Sequence, residues 1–546
     1  MLQKIREWLA GHPRWTLALV TVAMFGPFIT KPFNLDDPLF LWLGAQIQSH
    51  PGNPFGFDVN WYGAAQPMWS VTENPPLAGY FIALASAIFG RSEMALHTAF
   101  LIPAIAAVLG TRRLAEHFCR QPVLAALVTL FAPGFLVSGT TVMCDMLLLC
   151  FWVWALVFWV EGIERQHSGR LALAGLMISL AFLTKYFGLC LVPLLAAHGA
   201  AQWRRPGRWL LFLLLPVSVV VSYQSIMLAL YGHELFTAAA GYTTFARDFF
   251  GYSKPLMVLT ALVFTGGCAA TAVLFAPLLW PRRALAWFGG TAVLAAIALF
   301  VFSRGSLPAA FAVAAVKIQF SFWLAGGISL LALAVVDFWR RREARSLLLL
   351  LWVAGTFLFA AAFNWTVNGR TILPLIPAIA ILVVRRLERQ NVSPRRVVGV
   401  LAAGALLALL VARADFLQAE AVRENALQVL RKNLPTPGAL WFQGHWGFQF
   451  YMQAFGARPL DLKNPGLRPG DKMAVPYANT DAKAMEPETT ALLEIFTTGE
   501  PGWLSVWDQK TGAGFYAASA GPLPFAFGLT TPEHTAVYQL KPVVGK

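Results

Sequence analysis

Apolar residues run along this chain in long blocks separated by short polar joints. After 15–30 the blocks fall at roughly 76–110, 123–142, 145–160, 171–184, 186–202, 209–230, 255–279, 284–302, 309–336, 346–363, 371–384 and 397–412. A helix needs about 20 mostly apolar residues to cross the hydrocarbon layer. The pattern therefore predicts a mainly α, polytopic membrane protein. The block 76–110 is long enough for two helices but is broken at Gly90-Arg91-Ser92-Glu93. Taken as one net crossing, it brings the total to about thirteen spans. Two stretches break the pattern. Residues 33–75, rich in Pro, Gly, Asn and Trp, are too polar to span and form a first loop. From about Ala414 the apolar runs shorten, and 438–443, 503–507 and 535–540 have strand character around a helix at 446–455. The expected organisation is a transmembrane domain over 1–412 and a small soluble α/β domain over 413–546, long enough for its own core.

Composition agrees. The chain is 57% hydrophobic and only 13% charged, against about 25% charged in soluble domains. A net charge of +15 could suggest a nucleic-acid partner, but its placement excludes one. The basic residues cluster between apolar blocks, as Arg112-Arg113, Arg204-Arg205, Arg282-Arg283, Arg340-Arg341-Arg342, Arg385-Arg386 and Arg395-Arg396. That is the pattern of cytoplasmic loops. With Lys4, Arg6 and Arg14 before the first block, it places the N-terminus inside and both 33–75 and 413–546 outside. The first block lacks a small-x-small cleavage site, so it reads as an uncleaved span. The five cysteines show no metal or disulfide spacing and read as packing residues.

Ionisable groups at membrane depth are expensive and are kept mainly where they bind or react. Asp36 and Asp37 open the first loop, and Glu73 closes it beside Pro75-Pro76. The acidic pair followed by Pro38 can cap a helix, or it can supply a general base. Asp145 sits between two strongly apolar stretches and needs a partner or a wet cavity. Lys185 and Arg370 end apolar blocks on the outer side, where a cation either snorkels or holds an anion. Glu73 and His445 are weak candidates for a divalent cation, because two separated ligands make poor evidence for a metal. No other cofactor is implied.

These residues belong to an ordered series: Asp36-Asp37, the amphipathic stretch 39–47, Glu73-Asn74-Pro75-Pro76-Leu77, Phe89-Gly90, Cys144-Asp145-Met146-Leu147, Leu183-Thr184-Lys185, Asn368 to Pro377, and Gly444-His445-Trp446-Gly447. The series resembles family 39 glycosyltransferases of the GT-C fold, which include dolichyl-phosphate-mannose protein mannosyltransferases and lipid A aminoarabinose transferases. The resemblance implies transfer of a sugar, with inversion, from a polyprenyl-phosphate donor to an extracytoplasmic lipid, glycan or protein in a bacterial inner membrane. It also implies Asp37 or Asp36 as general base, with Asp37 favoured. Lys185 and Arg370 would bind phosphate, Glu73, Asp145 and His445 would belong to the substrate site, and 39–47 would frame the donor's tail among membrane lipids. Two departures stand out. Asn74 replaces the lysine of the aminoarabinose branch, and no arginine follows the acidic pair. A transporter or flippase of lipid-linked sugar is the rival from another class. It predicts repeat-related halves, and no long repeat is visible. A non-catalytic relative acting in binding or assembly is a third possibility.

Overall fold

The computed structural model describes residues 11–72, 74–203, 207–250, 253–302, 309–390 and 392–542. Among these, seven helices are long and apolar enough to cross a membrane, and two bent pairs raise the number to nine. The chain is a multi-pass membrane protein. Several other apolar blocks fold as short or broken helices. Pro122–Leu130 and Pro133–Gly139 meet at 64°, because Pro133 forces Ala132 out of helical geometry into an extended conformation. Leu77–Phe89 and Ser168–Thr184 have 13 and 17 residues. At 1.5 Å per residue they reach about 20 and 26 Å, short of the hydrocarbon thickness of about 30 Å.

The block 76–110 thus holds one crossing helix, Glu93–Ala115, and one short helix, Leu77–Phe89. Gly90, at φ +89°, turns the chain between them, and Ser92 Oγ caps the second by accepting from the Ala95 N–H at 3.2 Å. The short helix packs against Asp37–Ser49 of the first loop. Glycine permits this approach, since a Cβ on Gly79 would meet Leu43 at 2.6 Å and one on Gly44 would meet Ile82 at 2.7 Å.

Asp145–Arg165 is a central, largely buried helix that fixes the two ends of the molecule. Asp145 pairs with Lys185 at one end. Glu161, about 24 Å away at helical rise, pairs with Arg113 and Arg170. Other basic joints gather near Glu161: Arg345 with Glu164 at 2.6 Å and Arg385 with Glu343 at 2.7 Å. At the Asp145 end, the first loop meets the C-terminal region. Gln449 Nε2 donates to the Asn60 carbonyl at 2.7 Å, and Asn60 Nδ2 donates to the Leu460 carbonyl at 2.9 Å.

The helix Pro394–Asn433 runs unbroken through the expected boundary at 412/413 and carries the chain out of the membrane. It delivers a five-stranded sheet ordered Arg458–Pro459, Leu440–Phe442, Lys472–Pro476, Glu533–Leu540 and Thr490–Thr498. The first three strands are parallel and the last two join antiparallel. Val429 and Leu430 of the long helix share a core with Phe442, Phe448, Met452 and Val537. The segment between the last two strands in sequence leaves this sheet. Its Leu504, Val506, Phe515, Leu523 and Phe525 are buried in the same apolar cluster as the membrane helices, with Phe525 5.3 Å from the Trp323 ring.

Candidate functional site

The acidic pair begins where the chain turns sharply at Leu35, whose φ of +50° lies in the left-handed region. The two carboxylates reach different places, Asp36 preceding the helix Asp37–Ser49 and Asp37 opening it. Asp37 is 1% exposed. Its Oδ2 accepts from the Asn34 N–H at 3.0 Å and its Oδ1 from the Val142 N–H at 2.8 Å. It thereby fastens the first loop to the turn before Asp145–Arg165. Burial raises its pKa to about 6, against the opposing pull of Lys31 and the two N–H groups. Asp36 remains accessible, its side chain 33% exposed, and meets Arg370 Nη1 through Oδ2 at 3.0 Å.

Arg370 projects from a helical turn, Gly369–Ile372, capped by Asn368, whose Oδ1 accepts from the Thr371 N–H at 2.7 Å. The Gly369 N–H donates to the Phe515 carbonyl at 2.7 Å, and any Cβ on Gly369 would strike the Phe515 ring. Glycine therefore lets the C-terminal segment sit directly on this turn. The guanidinium lies 5.7 Å from the centre of the Tyr516 ring, with Met143 Sδ 2.9 Å from Nη1.

Beside it, Lys185 Nζ meets Asp145 Oδ1 at 2.7 Å. Lys185 ends the helix Ser168–Thr184 in an extended conformation, φ −155° and ψ 132°, which carries the side chain off the helix axis. Sequence neighbours show no acid near Lys185; the partner comes from 40 residues upstream. Asp145 is fully buried, and its Oδ2 has no hydrogen-bond partner among the described residues. Arg370 also interacts electrostatically with Asp145, so the two ion pairs adjoin. Asn74 Oδ1 accepts from the Cys144 thiol at 3.6 Å, at the edge of the same cluster.

A third pair was not foreseen. Lys31 and Asp415 form a buried salt bridge, and the Tyr516 hydroxyl donates to Asp415 at 2.9 Å. His97 Nε2 donates to the Lys31 carbonyl at 2.9 Å. A lysine at the outer end of the first block, against the cytoplasmic bias of the other basic residues, was the available signal. Asp415, just past the last block, was another. Nothing in the local sequence marked Tyr516.

His445 lies in a different environment. Its ring is 4.6 Å from that of Trp61, Nε2 is 2.6 Å from Thr480 Oγ1, and burial lowers its pKa to about 3. Glu73 lies outside the described residues, so its expected pairing with His445 rests on sequence alone. Among the described residues no three His, Cys, Asp or Glu side chains converge as metal ligands. The arrangement offers two adjoining cations, each held by a carboxylate, and one of those carboxylates, Asp36, is accessible. Its chemistry suits an anion, with a proton acceptor alongside.

Residues 73–226 match the sequence model of a family described as dolichyl-phosphate-mannose-protein mannosyltransferase. No curated protein matches the chain. Solved structures similar to it include the following three. An oligosaccharyltransferase from Archaeoglobus fulgidus, tethered to an acceptor peptide, is 15% identical with a TM-score of 0.49, covering 83% of this chain and 64% of its own. ArnT from Cupriavidus metallidurans, bound to undecaprenyl phosphate, is 16% identical with a TM-score of 0.41, covering 86% of this chain and 93% of its own. The arabinofuranosyltransferase AftD from Mycobacteria is 14% identical with a TM-score of 0.38, covering 98% and 40%. The chain thus spans 64% of the length of the oligosaccharyltransferase.

Proposed function

We propose that this protein is a GT-C-type, family 39-like membrane glycosyltransferase using a polyprenyl-phosphate sugar and an extracytoplasmic acceptor. The observation that carries this reading is the accessible Asp36 carboxylate on Arg370, adjoining the Asp145–Lys185 pair. The family match over 73–226, which includes Asn74, Asp145 and Lys185, supports it.

Asp36 removes the proton from an acceptor hydroxyl, and the hydroxyl oxygen attacks the anomeric carbon opposite the phosphate. The carbon–oxygen bond to phosphate breaks with inversion, and polyprenyl phosphate leaves carrying the bonding pair. Arg370 and Lys185 neutralise the charge that accumulates there. With Asn74 where the aminoarabinose branch has lysine, Lys185 is the cation left to do this beside Asp145. Glu73, in this scheme, orders the loop at the donor. The sequence favours Asp37 as base, but geometry precedes pKa in choosing a base. Both Asp37 oxygens are occupied by backbone N–H groups in a closed environment, whereas Asp36 Oδ1 has no hydrogen-bond partner among the described residues. We assign catalysis to Asp36 and loop fixation to Asp37. The orientation is that of a bacterial inner membrane with the C-terminal region periplasmic.

The test is turnover of a panel of polyprenyl-phosphate sugars by the purified full chain. Asp36→Asn should lower turnover about 100-fold with donor binding intact. Lys185→Ala should weaken donor binding about 10- to 100-fold, the worth of one charge-assisted contact. Movement of lipid-linked sugar without any transfer would instead establish a flippase.

A further inference from the structure

A cavity of about 920 Å³ lies beyond the ion-pair cluster, between the outer half of Pro394–Asn433 and the C-terminal sheet. Its size falls within the range of about 300–1,000 Å³ typical of small-molecule sites. Trp446 and Trp507, both half-buried, stand in one wall with ring centres 5.4 Å apart at 89°. Tyr477, 56% exposed, adds a third ring. This wall is built rigidly. Gln418 Nε2 donates to the Trp507 carbonyl at 2.6 Å, and the Asp508 carboxylate accepts from the Lys510 and Thr531 N–H groups at 2.8 and 2.9 Å. Behind it, Trp507 rests 6.3 Å from Tyr516, the ring that covers Arg370. The cavity therefore adjoins the proposed site through a shared aromatic contact.

Its charge is opposite to that of the chain as a whole. Glu420, Glu500 and Glu533 line it, and none of the three forms an ion pair among the described residues. Lys510 is the one Lys or Arg in the lining, and His534 is engaged with Thr497 Oγ1 at 2.8 Å. Burial, with the nearby Asp508 charge, raises the Glu533 pKa to about 7. Flat aromatic faces pack well on the C–H face of a sugar ring and attract cations, while free carboxylates accept from hydroxyl and ammonium groups. Phosphate and carboxylate ligands are repelled.

We propose that this cavity binds an amine-bearing saccharide. On the glycosyltransferase reading, on which only this further step rests, that saccharide is the acceptor, so the acceptor is a glycan rather than an anionic lipid headgroup. The test is equilibrium binding to the solubilised full chain, independent of turnover. Chitosan tetrasaccharide, with free amines, should bind saturably, its N-acetylated counterpart at least 10-fold more weakly, and tetragalacturonate not at all. Glu533→Gln and Tyr477→Ala should each weaken chitosan binding at least 10-fold without altering the unfolding transition. Absence of saturable chitosan binding, equal binding of tetragalacturonate, or indifference to both substitutions would overturn the proposal. Tetralysine binding as tightly as chitosan would overturn it in favour of a basic peptide. Saccharide binding without any transfer activity would leave the cavity's assignment standing and remove the glycosyltransferase reading.

Discussion

At the residue scale, two adjacent aspartates meet different surroundings: Asp36 precedes the helix Asp37–Ser49 and Asp37 is its first residue, so their side chains leave in different directions. The sequence shows the pair but not the split, because the partners that distinguish them, Arg370 and the Val142 N–H, come from distant segments. Asp37 is a carboxyl whose folded pKa, about 6, exceeds its ordinary value. Between about pH 4 and 6 the folded state therefore binds the extra proton, and stability falls as pH rises through that window. Two units correspond to on the order of 2–3 kcal/mol. Unfolding followed from pH 4 to 7 should show wild type losing stability relative to Asp37→Asn as pH rises. The variant should be weaker at low pH, because the amide's NH₂ faces a backbone donor and one of the two contacts is lost. Parallel pH profiles would show that Asp37 does not titrate in this range.

At the element scale, three elements distant in sequence meet at Asp415. Lys31 follows the first membrane block, Asp415 lies on the long helix Pro394–Asn433, and Tyr516 comes from the segment that leaves the sheet. The elements themselves were legible. The expected strands at 438–443 and 535–540 overlap Leu440–Phe442 and Glu533–Leu540, and the expected helix at 446–455 overlaps Trp446–Ala454. Their partnerships were not, because a buried salt bridge joining residues 384 apart leaves no periodic trace. Lys31→Met alone strands a buried carboxylate and should cost about 3–5 kcal/mol. Lys31→Met with Asp415→Leu removes both charges and should recover most of that loss, leaving the cost of the unpaired Tyr516 hydroxyl at about 1–3 kcal/mol. A double variant no more stable than the single, measured by unfolding in detergent, would show that the pair is not a closed unit.

At the scale of the whole molecule, hydropathy identified a membrane protein, and seven to nine spans among the described residues are long and apolar enough to cross; apolar content does not reveal where proline breaks a run or a helix stops short. Charge carried more. Arg113, Arg345 and Arg385 pair with Glu161, Glu164 and Glu343 at one end. The first loop and the C-terminal region gather at the other, tied by Gln449 and Asn60. The central helix separates Asp145 from Glu161 by about 24 Å, and on the orientation we propose the two groups face opposite sides of the bilayer with the arginine-rich end in the cytoplasm. Cysteines placed singly at exposed Tyr62 and Trp339 should therefore react with an impermeant thiol reagent from opposite sides. In intact cells Tyr62→Cys should label and Trp339→Cys should label only after permeabilisation. Labelling of both in intact cells, or of Trp339→Cys alone, would invert the orientation and take Asp36, Arg370 and the saccharide cavity away from the extracytoplasmic side.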